Sequence, residues 1–292
     1  MSPAETTSAG SVVITGASTG IGAACALALD RLNFRVFAGV RKHADGEALQ
    51  AQASAKLTPI QLDVTHSHEI AAALKTVAGE VDGAGLTGLV NNAGIGVVGP
   101  LEIISLDDLR RQFEVNVVGL IAVTQALLPL LRKARGRVVN MSSIAGRAAM
   151  PYMGPYAASK HALEALSDAL RIELQHTGVR VSVIEPGAIA TPIWNKTRNE
   201  VDGSESNWSE QLKALYIDGM NRVKHIAARS EANAAPPSLV ADAVIHALTS
   251  PNPKTRYLVG RDAKMRALIT AVLPDSLQDS LLTRILKLPA KK

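Results

Sequence analysis

Two side chains four residues apart in the sequence could exchange a proton with a substrate. Tyr156 and Lys160 lie in the string YAASK at the start of a predicted helix, and this spacing places the phenol and the ammonium on one helix face. A free tyrosine has a pKa near ~10 and is a poor base at neutral pH. A cation roughly 4 Å away would favour the phenolate. The pair therefore predicts acid–base chemistry at Tyr156.

A glycine-rich segment, TGASTGIG, follows the first predicted strand and opens the first predicted helix. Gly16, Gly20 and Gly22 would let a phosphate approach the backbone, where a helix N-terminus offers unpaired N–H groups. The spacing is GxxxGxG, and no lysine follows the last glycine as it does in a P-loop. The segment predicts a dinucleotide site, although a glycine turn needed only for packing is the alternative. The other loop residues at this site would be Ser18, Thr19 and Ile21.

The ends of the next two predicted strands bear on the choice of cofactor. The second strand ends at Val40 and Arg41, where the dinucleotide fingerprint places an acidic residue on the ribose hydroxyl. Valine cannot accept that hydrogen bond, whereas Arg41 could pair with the 2′-phosphate of NADP or be a solvated surface residue. Asp63 could accept a hydrogen bond from the adenine amino group or cap the next helix. We predict NADP, with NAD as the alternative.

The string NNAG ends the fourth predicted strand, at the edge where ligands bind in open α/β sheets. Taken alone, Asn92, Ala93 and Gly94 would be an ordinary turn. The motifs TGASTGIG, NNAG, NVVG, the serine pair 142–143, YAASK and the Pro-Gly pair 186–187 occur together in this order over about residues 10–192. On this set of motifs the chain resembles the short-chain dehydrogenase/reductase family.

The resemblance implies hydride transfer between C4 of a nicotinamide and a carbinol or carbonyl carbon. In the family, the serine that lies thirteen residues before the tyrosine polarises the substrate oxygen, which assigns that role to Ser143. The family's lysine also binds the nicotinamide ribose, and its asparagine holds a water that links the lysine to solvent. These roles fall on Lys160 and Asn116. Further cofactor contacts are implied at Val64, Pro186, Gly187, Ile189 and Thr191.

The strings VIEPGAIATPIW and PKTRYLVGRDAK resemble the branch of the family that acts on steroids, retinoids and related lipophilic alcohols. The expected substrate is a small lipophilic alcohol, ketone or aldehyde. The stretch 193–237 is predicted as an excursion that closes over it. Five residues could line an apolar pocket for this substrate, namely Ile144, Met150, Met153, Ile193 and Trp194. Plain core packing is the alternative for each of them.

The implied chemistry needs no metal. His66, His68 and Glu69 form a small cluster of potential metal ligands. Ser67 stands just before an apolar-periodic run, however, which is typical of a helix cap. We therefore favour the cap over a metal site.

Predicted strands and predicted helices alternate along the chain and would position the residues named above. Apolar runs of strand length recur between helix-like stretches, which is typical of a parallel sheet covered by helices on both faces. We predict an α/β fold, a single Rossmann-type doubly wound parallel sheet of about seven strands, in one catalytic domain over 1–292. The predicted strands are 11–15, 35–40, 58–62, 87–91, 136–142, 179–185 and 256–260. The predicted helices are 21–32, 68–79, 107–133, 156–176 and 238–249.

Composition excludes several classes of protein. The 292 residues include 31 Lys+Arg, 26 Asp+Glu and one cysteine, so an internal disulfide is excluded and a cytoplasmic location is expected. Three Phe, two Trp and four Tyr are too few for a stacking platform that binds nucleic acid. The apolar runs 6–29 and 115–131 contain glycines, polar residues or proline, and we do not predict that they span a membrane.

The positive charge is concentrated in the C-terminal tail, residues 261–292, which carries seven basic and three acidic groups. A helix over Leu277–Leu288 would have an apolar face and could lie on an anionic membrane, which would make the protein peripheral. We favour packing of this helix on the protein's own core or across a subunit contact. The predicted helices 107–133 and 156–176 could form a homodimer or homotetramer, or be buried within one subunit.

Other functions could use the same fold. A non-catalytic NADP sensor or interaction protein would have no need of the serine, tyrosine, lysine and asparagine together. Sugar-nucleotide epimerases and dehydratases share the tyrosine–lysine pair, but they usually have a GxxGxxG loop and a larger C-terminal domain. A related dehydrogenase that uses NAD(H) on another substrate class is also an alternative.

Overall fold

The computed structural model describes residues 9–81, 83–192, 208–286 and 288. The seven strands in these residues form one sheet, in the order β3-β2-β1-β4-β5-β6-β7, and every neighbouring pair is parallel. The predicted sheet is confirmed, and the predicted strand ends differ from the observed ones by at most one residue. The strands are β1 Ser11–Ile14, β2 Arg35–Val40, β3 Leu57–Gln61, β4 Gly88–Asn91, β5 Arg137–Met141, β6 Arg180–Pro186 and β7 Arg256–Val259.

Helices cover both faces of the sheet. They are α1 Gly20–Arg31, α2 His43–Gln50, α3 Ser67–Glu80, α4 Leu106–Phe113, α5 Leu120–Ala134, α6 Gly154–Glu173, α7 Glu210–Ala232, α8 Pro237–Thr249, α9 Arg261–Val272 and α10 Asp275–Ile285. Successive side chains of a strand point to opposite faces, so Val12 and Ile14 pack with α1 and α8, while Val13 packs with α3 and α5. Burial on both faces explains why the strands are almost continuously apolar.

The predicted helix 107–133 is a continuous helical run in which a π-helical turn, Glu114–Gly119, joins α4 to α5. By length and composition, Leu106–Ala134 could cross a membrane. Leu120, Val123, Leu127 and Leu131 are nevertheless buried, and the last three pack in the cluster beneath the sheet. One face of the run therefore packs in the core, and 39% of its apolar window is buried in this fold.

Two helices were not predicted from the sequence, and both lie outside the simple alternation. The first is the short helix α2. The second is α7, whose 23 residues occupy most of the described part of the predicted excursion 193–237. That part is therefore a helix followed by a short connection, and not an irregular loop. The predicted pocket residues Ile193 and Trp194 lie outside the described residues.

Helix α3 does not begin as predicted. Ser67 is its first residue, the capping position is His66, and no side chain makes a cap hydrogen bond there. Glu69 instead accepts a hydrogen bond from the Asp63 backbone N–H at 2.6 Å and contacts the His66 ring at 3.0 Å. Because this carboxylate reaches back to the preceding turn, the chain enters the helix without the serine cap.

The described part of the C-terminal tail contains helices α9 and α10, and α10 has no buried residue. Leu277, Leu281 and Ile285 are 54%, 39% and 52% exposed, whereas Leu286, just after the helix, is fully buried. The three exposed side chains do not pack on the protein's own core. A subunit contact and an anionic membrane surface both stay predictions for them.

Candidate active site

A cavity of about 510 Å³ opens at the carboxyl ends of the strands, beside the point where β1 and β4 meet and the strand order reverses. Of the residues that the sequence predicted, it is lined by Gly16, Ser18, Thr19, Gly20, Ile21, Arg41, Asp63, Val64, Asn92, Ala93, Gly94, Ser143, Ile144, Met150, Met153, Tyr156, Lys160, Pro186, Gly187, Ile189 and Thr191. Two further predicted residues, Gly22 and Asn116, are buried behind this lining.

At two glycines, one in the loop between β1 and α1 and one at the start of α1, a larger side chain would clash with backbone atoms that lie very close. Gly16 has a φ of +64°, and a Cβ there would lie 2.8 Å from the Ala93 Cα. A Cβ at Gly22 would lie 2.2 Å from the Gly16 carbonyl oxygen. The open backbone at the start of α1 is the arrangement that binds a dinucleotide phosphate, so these residues fit such a cofactor.

The predicted NNAG turn holds this loop in place. The Asn92 amide donates to the carbonyl oxygens of Thr15 and Gly16 at 3.1 and 2.9 Å. The Thr15 hydroxyl oxygen accepts hydrogen bonds from the backbone N–H groups of Asn92 and Ala93, both at 3.0 Å. The two motifs therefore form one hydrogen-bonded unit across the strand-order reversal.

One end of the cavity has the groups that the sequence assigned to the adenosine half of a cofactor. Val40 is buried, the exposed Arg41 follows it, and both line the cavity. The Asp63 carboxylate accepts hydrogen bonds from the Thr65 N–H at 3.0 Å and hydroxyl at 2.7 Å. Burial opposes ionisation of Asp63, but these bonds together with the nearby His66 and Arg41 charges lower its pKa. Asp63 thus forms a local turn before α3 and does not cap the helix.

At the other end, the Tyr156 phenol faces the cavity next to Ser143. Burial raises the pKa of Tyr156, and hydrogen bonding with Ser143 opposes that shift without cancelling it. Lys160 is not among the causes of this shift, so its expected effect on the phenolate stays a prediction. The hydroxyl is protonated at neutral pH, the form that can donate a proton.

Lys160 is buried one helical turn after Tyr156. Its Nζ donates to the Met141 carbonyl oxygen of β5 at 2.8 Å and lies 5.8 Å from the centroid of the Tyr156 ring. Burial lowers the pKa of Lys160 to about 8, although the nearby Glu164 carboxylate opposes the shift.

Asn116 lies in the π-helical turn between α4 and α5. Its side-chain oxygen accepts from the Ile95 N–H at 2.9 Å, and its amide donates to the Ile95 carbonyl at 3.0 Å and to the Ser159 hydroxyl at 3.1 Å. A Cβ on Gly94 would lie 3.4 Å from the Asn116 oxygen and 3.8 Å from the Lys160 Nζ. Asn116 therefore ties the segment after NNAG to α6, and its predicted water-holding role stays a prediction.

The two adjacent serines after β5 have different surroundings. The Ser143 oxygen accepts from the Ala145 N–H at 3.1 Å, at the start of the short turn Ile144–Gly146. The Ser142 hydroxyl is buried and has no hydrogen-bond partner among the described residues. Both line the cavity, but Ser143 is the serine that interacts with Tyr156.

The cluster of potential metal ligands exists in the structure. One ligand atom each of His66, His68 and Glu69 lies within 4.8 Å of the others, and both histidines are exposed. The Glu69 carboxylate is already engaged by the Asp63 N–H and by His66.

Several cavity-lining residues were not predicted. They are contributed chiefly by α4, α7 and α9, and they include Arg111, Ile226, Ala227, Ser230, Asp262 and Arg266. The spacing of Leu212, Tyr216, Met220 and Val223 has the period of a helix and could have identified α7. No comparable local pattern singles out Arg266, because its place in the cavity depends on how α9 packs.

A family model described as short chain dehydrogenase matches residues 11–202. The chain is 41% identical over 291 residues to 17-beta-hydroxysteroid dehydrogenase type 6 and 39% identical over 291 residues to retinol dehydrogenase 5, both of Homo sapiens. Each match covers 96% of this chain and 90% of the relative.

Solved structures agree with this match. A short-chain dehydrogenase from Streptomyces avermitilis superposes with a TM-score of 0.76 and 27% identity, over 95% of this chain and 96% of that one. A short chain dehydrogenase from Burkholderia cenocepacia J2315, in complex with NADP, has a TM-score of 0.71 and 26% identity, over 96% of this chain and 98% of that one.

Proposed function

The chain belongs to the short-chain dehydrogenase family, and from this premise we propose that it is an NADP(H)-dependent oxidoreductase of lipophilic alcohols and carbonyl compounds. The observation that carries the proposal is that Ser143, Tyr156 and Lys160 lie in the same cavity as the glycine loop. One cavity can thus hold both a dinucleotide and a substrate.

The cofactor, when bound, supplies or accepts the hydride. Side chains of the protein would bind the substrate oxygen and exchange a proton with it. A hydrogen bond from Ser143 would hold that oxygen. The Tyr156 hydroxyl would donate a proton to it during carbonyl reduction, and the Tyr156 phenolate would take a proton from it during alcohol oxidation. The raised pKa of Tyr156 keeps its proton in place before reaction and suits it to the donor role. Lys160, one turn away on α6, would orient the cofactor ribose.

A steroid-like or retinoid-like substrate is supported by the two relatives, a hydroxysteroid dehydrogenase and a retinol dehydrogenase, at 41% and 39% identity. The wall beyond Ser143 supports it too, because Ile144, Met150 and Met153 make that end of the cavity apolar. Apolar lining with a few placed polar groups is typical of sites for such ligands.

A preference for NADP(H) is supported by the pairing of the buried Val40 with the exposed Arg41 at the rim of the cavity. Valine offers no acceptor to a ribose hydroxyl, and a guanidinium offers donors to a 2′-phosphate. A structure of a relative at 26% identity holds NADP.

The test is a cofactor-consumption screen of lipophilic alcohols, aldehydes and ketones with NADP(H) and NAD(H). It is followed by Tyr156→Phe assayed on the best substrate. We expect turnover to fall about 10²-fold or more, with cofactor affinity nearly unchanged, because only the transferred proton is removed. Activity of the variant near that of the unmodified enzyme would refute the role of Tyr156, and no turnover of any screened compound would refute the proposed substrate class.

A further inference from the structure

The guanidinium of Arg266 lies in the catalytic cavity, on the side of Ser143. Ala263 and Ala267 of α9 pack with Ile144, which immediately follows Ser143. The Arg266 Nη2 donates to the Ala148 carbonyl oxygen at 3.0 Å, in the same segment. Helix α9 thus places the Arg266 guanidinium beside the part of the cavity wall, beyond Ser143, that we assign to the substrate.

Arg266 forms no ion pair among the described residues, although the Asp262 carboxylate acts on it from a longer distance. Among the described residues, none has a carboxylate oxygen within 4.0 Å of it, and the Ala148 carbonyl is its hydrogen-bond acceptor. Asp262, one turn earlier on α9, favours the charged form, but its carboxylate accepts the Ala188 N–H at 2.8 Å. Burial lowers the pKa of Arg266, which shows that the cation is held where water solvates it poorly.

Cations outnumber carboxylates among the described side chains that line the cavity. The described charged side chains that line it are Arg41, Asp63, Arg111, Lys160, Asp262 and Arg266, four cations and two carboxylates. Ile144 packs on α9 beside Arg266, and Met150, Ile226 and Ala227 are further apolar residues of the cavity lining. A partly buried guanidinium with unused N–H groups in an apolar wall matches an acidic group at one end of an apolar molecule.

We propose that Arg266 binds a carboxylate of the substrate, remote from the reacting carbon, so that the enzyme prefers lipid-sized hydroxy or oxo acids to their neutral counterparts. This inference rests on the proposed function, since it places the substrate at the Ser143 end of the cavity. The planar guanidinium can hold both carboxylate oxygens at once, which a lysine ammonium cannot.

The test compares acids with their methyl esters. Lithocholic acid and 16-hydroxyhexadecanoic acid, each beside its ester, are titrated by calorimetry into Tyr156→Phe protein in the presence of NADP. We expect at least one acid to bind ten-fold or more tightly than its ester. Adding Arg266→Met should bring that ratio to about one, and Arg266→Lys should give an intermediate ratio. Lys264→Met, which removes an exposed cation of the same helix, should leave the ratio unchanged.

Equal binding of acid and ester in both pairs would overturn the inference before any Arg266 variant is made, even if the enzyme oxidises neutral alcohols. Binding of NADP is measured in the same variants. Tenfold weaker NADP binding in Arg266→Met, with an unchanged acid-to-ester ratio, would also overturn it, because the guanidinium would then serve a cofactor phosphate. If an acid binds preferentially and the unmodified enzyme turns over neither the acids nor any compound of the screen, the carboxylate site is supported and the proposed reaction is refuted.

Discussion

Replacing the buried Lys160 by methionine should stabilise the fold at neutral pH while abolishing activity. Burial lowers the pKa of this lysine from 10.5 to about 8. A shift of about 2.5 units means that the charged form costs the folded state about 3 kcal/mol at pH 7. The variant also loses the hydrogen bond to the Met141 carbonyl, worth about 1 kcal/mol. We therefore expect Lys160→Met to raise the free energy of unfolding by about 2 kcal/mol at pH 7.

The pH dependence gives a sharper test than the value at one pH. Between the folded pKa, about 8, and the unfolded value of 10.5, the unfolded chain binds more protons than the folded chain, so the unmodified protein gains stability as pH rises. The Lys160→Met variant lacks the ammonium group, so it has no corresponding gain of stability as pH rises. From pH 7 to pH 9.5 the stability difference should shrink by about 2 kcal/mol.

Urea unfolding followed by far-ultraviolet circular dichroism at the two pH values measures both quantities. Lys75→Met is the matched control, because Lys75 is an exposed lysine on α3. It should leave the stability nearly unchanged at both pH values. A Lys160→Met protein that is less stable than the parent at pH 7, or a difference that does not shrink at pH 9.5, would refute the argument that burial of this charge is costly.

Three further predictions concern the cofactor, the glycine loop and the tail. Val40→Asp should shift the ratio of NADP to NAD affinity toward NAD by about 1 to 3 kcal/mol, measured by direct titration, and tighter binding of NAD by the unmodified protein would contradict the premise. Gly22→Ala should lower the unfolding free energy by about 1 to 3 kcal/mol in a urea titration, because its Cβ would lie 2.2 Å from the Gly16 carbonyl oxygen. Gly79→Ala on α3, where a Cβ would have no atom within 4 Å, should be stabilising instead, and similar effects of the two would contradict this reasoning. The exposed leucines of α10 should make the full chain sediment with anionic vesicles at low salt, unlike a chain that ends after Pro274, whereas a full chain that stays in the supernatant would exclude membrane contact.

The sheet and the chemistry-bearing motifs could be predicted from local patterns of residues. Each strand is a short apolar run, and the signals that end it, such as the glycine loop after Ile14 or NNAG after Val90, are local. Because parallel strands bring their carboxyl ends to one edge, motifs far apart in the chain were predictable as neighbours. The four-residue spacing of Tyr156 and Lys160 likewise needs only helix geometry.

The hydrogen-bond partners, the burial and the pKa of each side chain in the site depend on the tertiary structure. That Lys160 bonds a carbonyl of β5, and that burial raises the pKa of Tyr156, follow from how α6 packs on the sheet. Arg266 enters the cavity only because α9 docks on the turn after Ser143. These outcomes depend on desolvation and on contacts between segments far apart in sequence, which no local pattern of residues encodes.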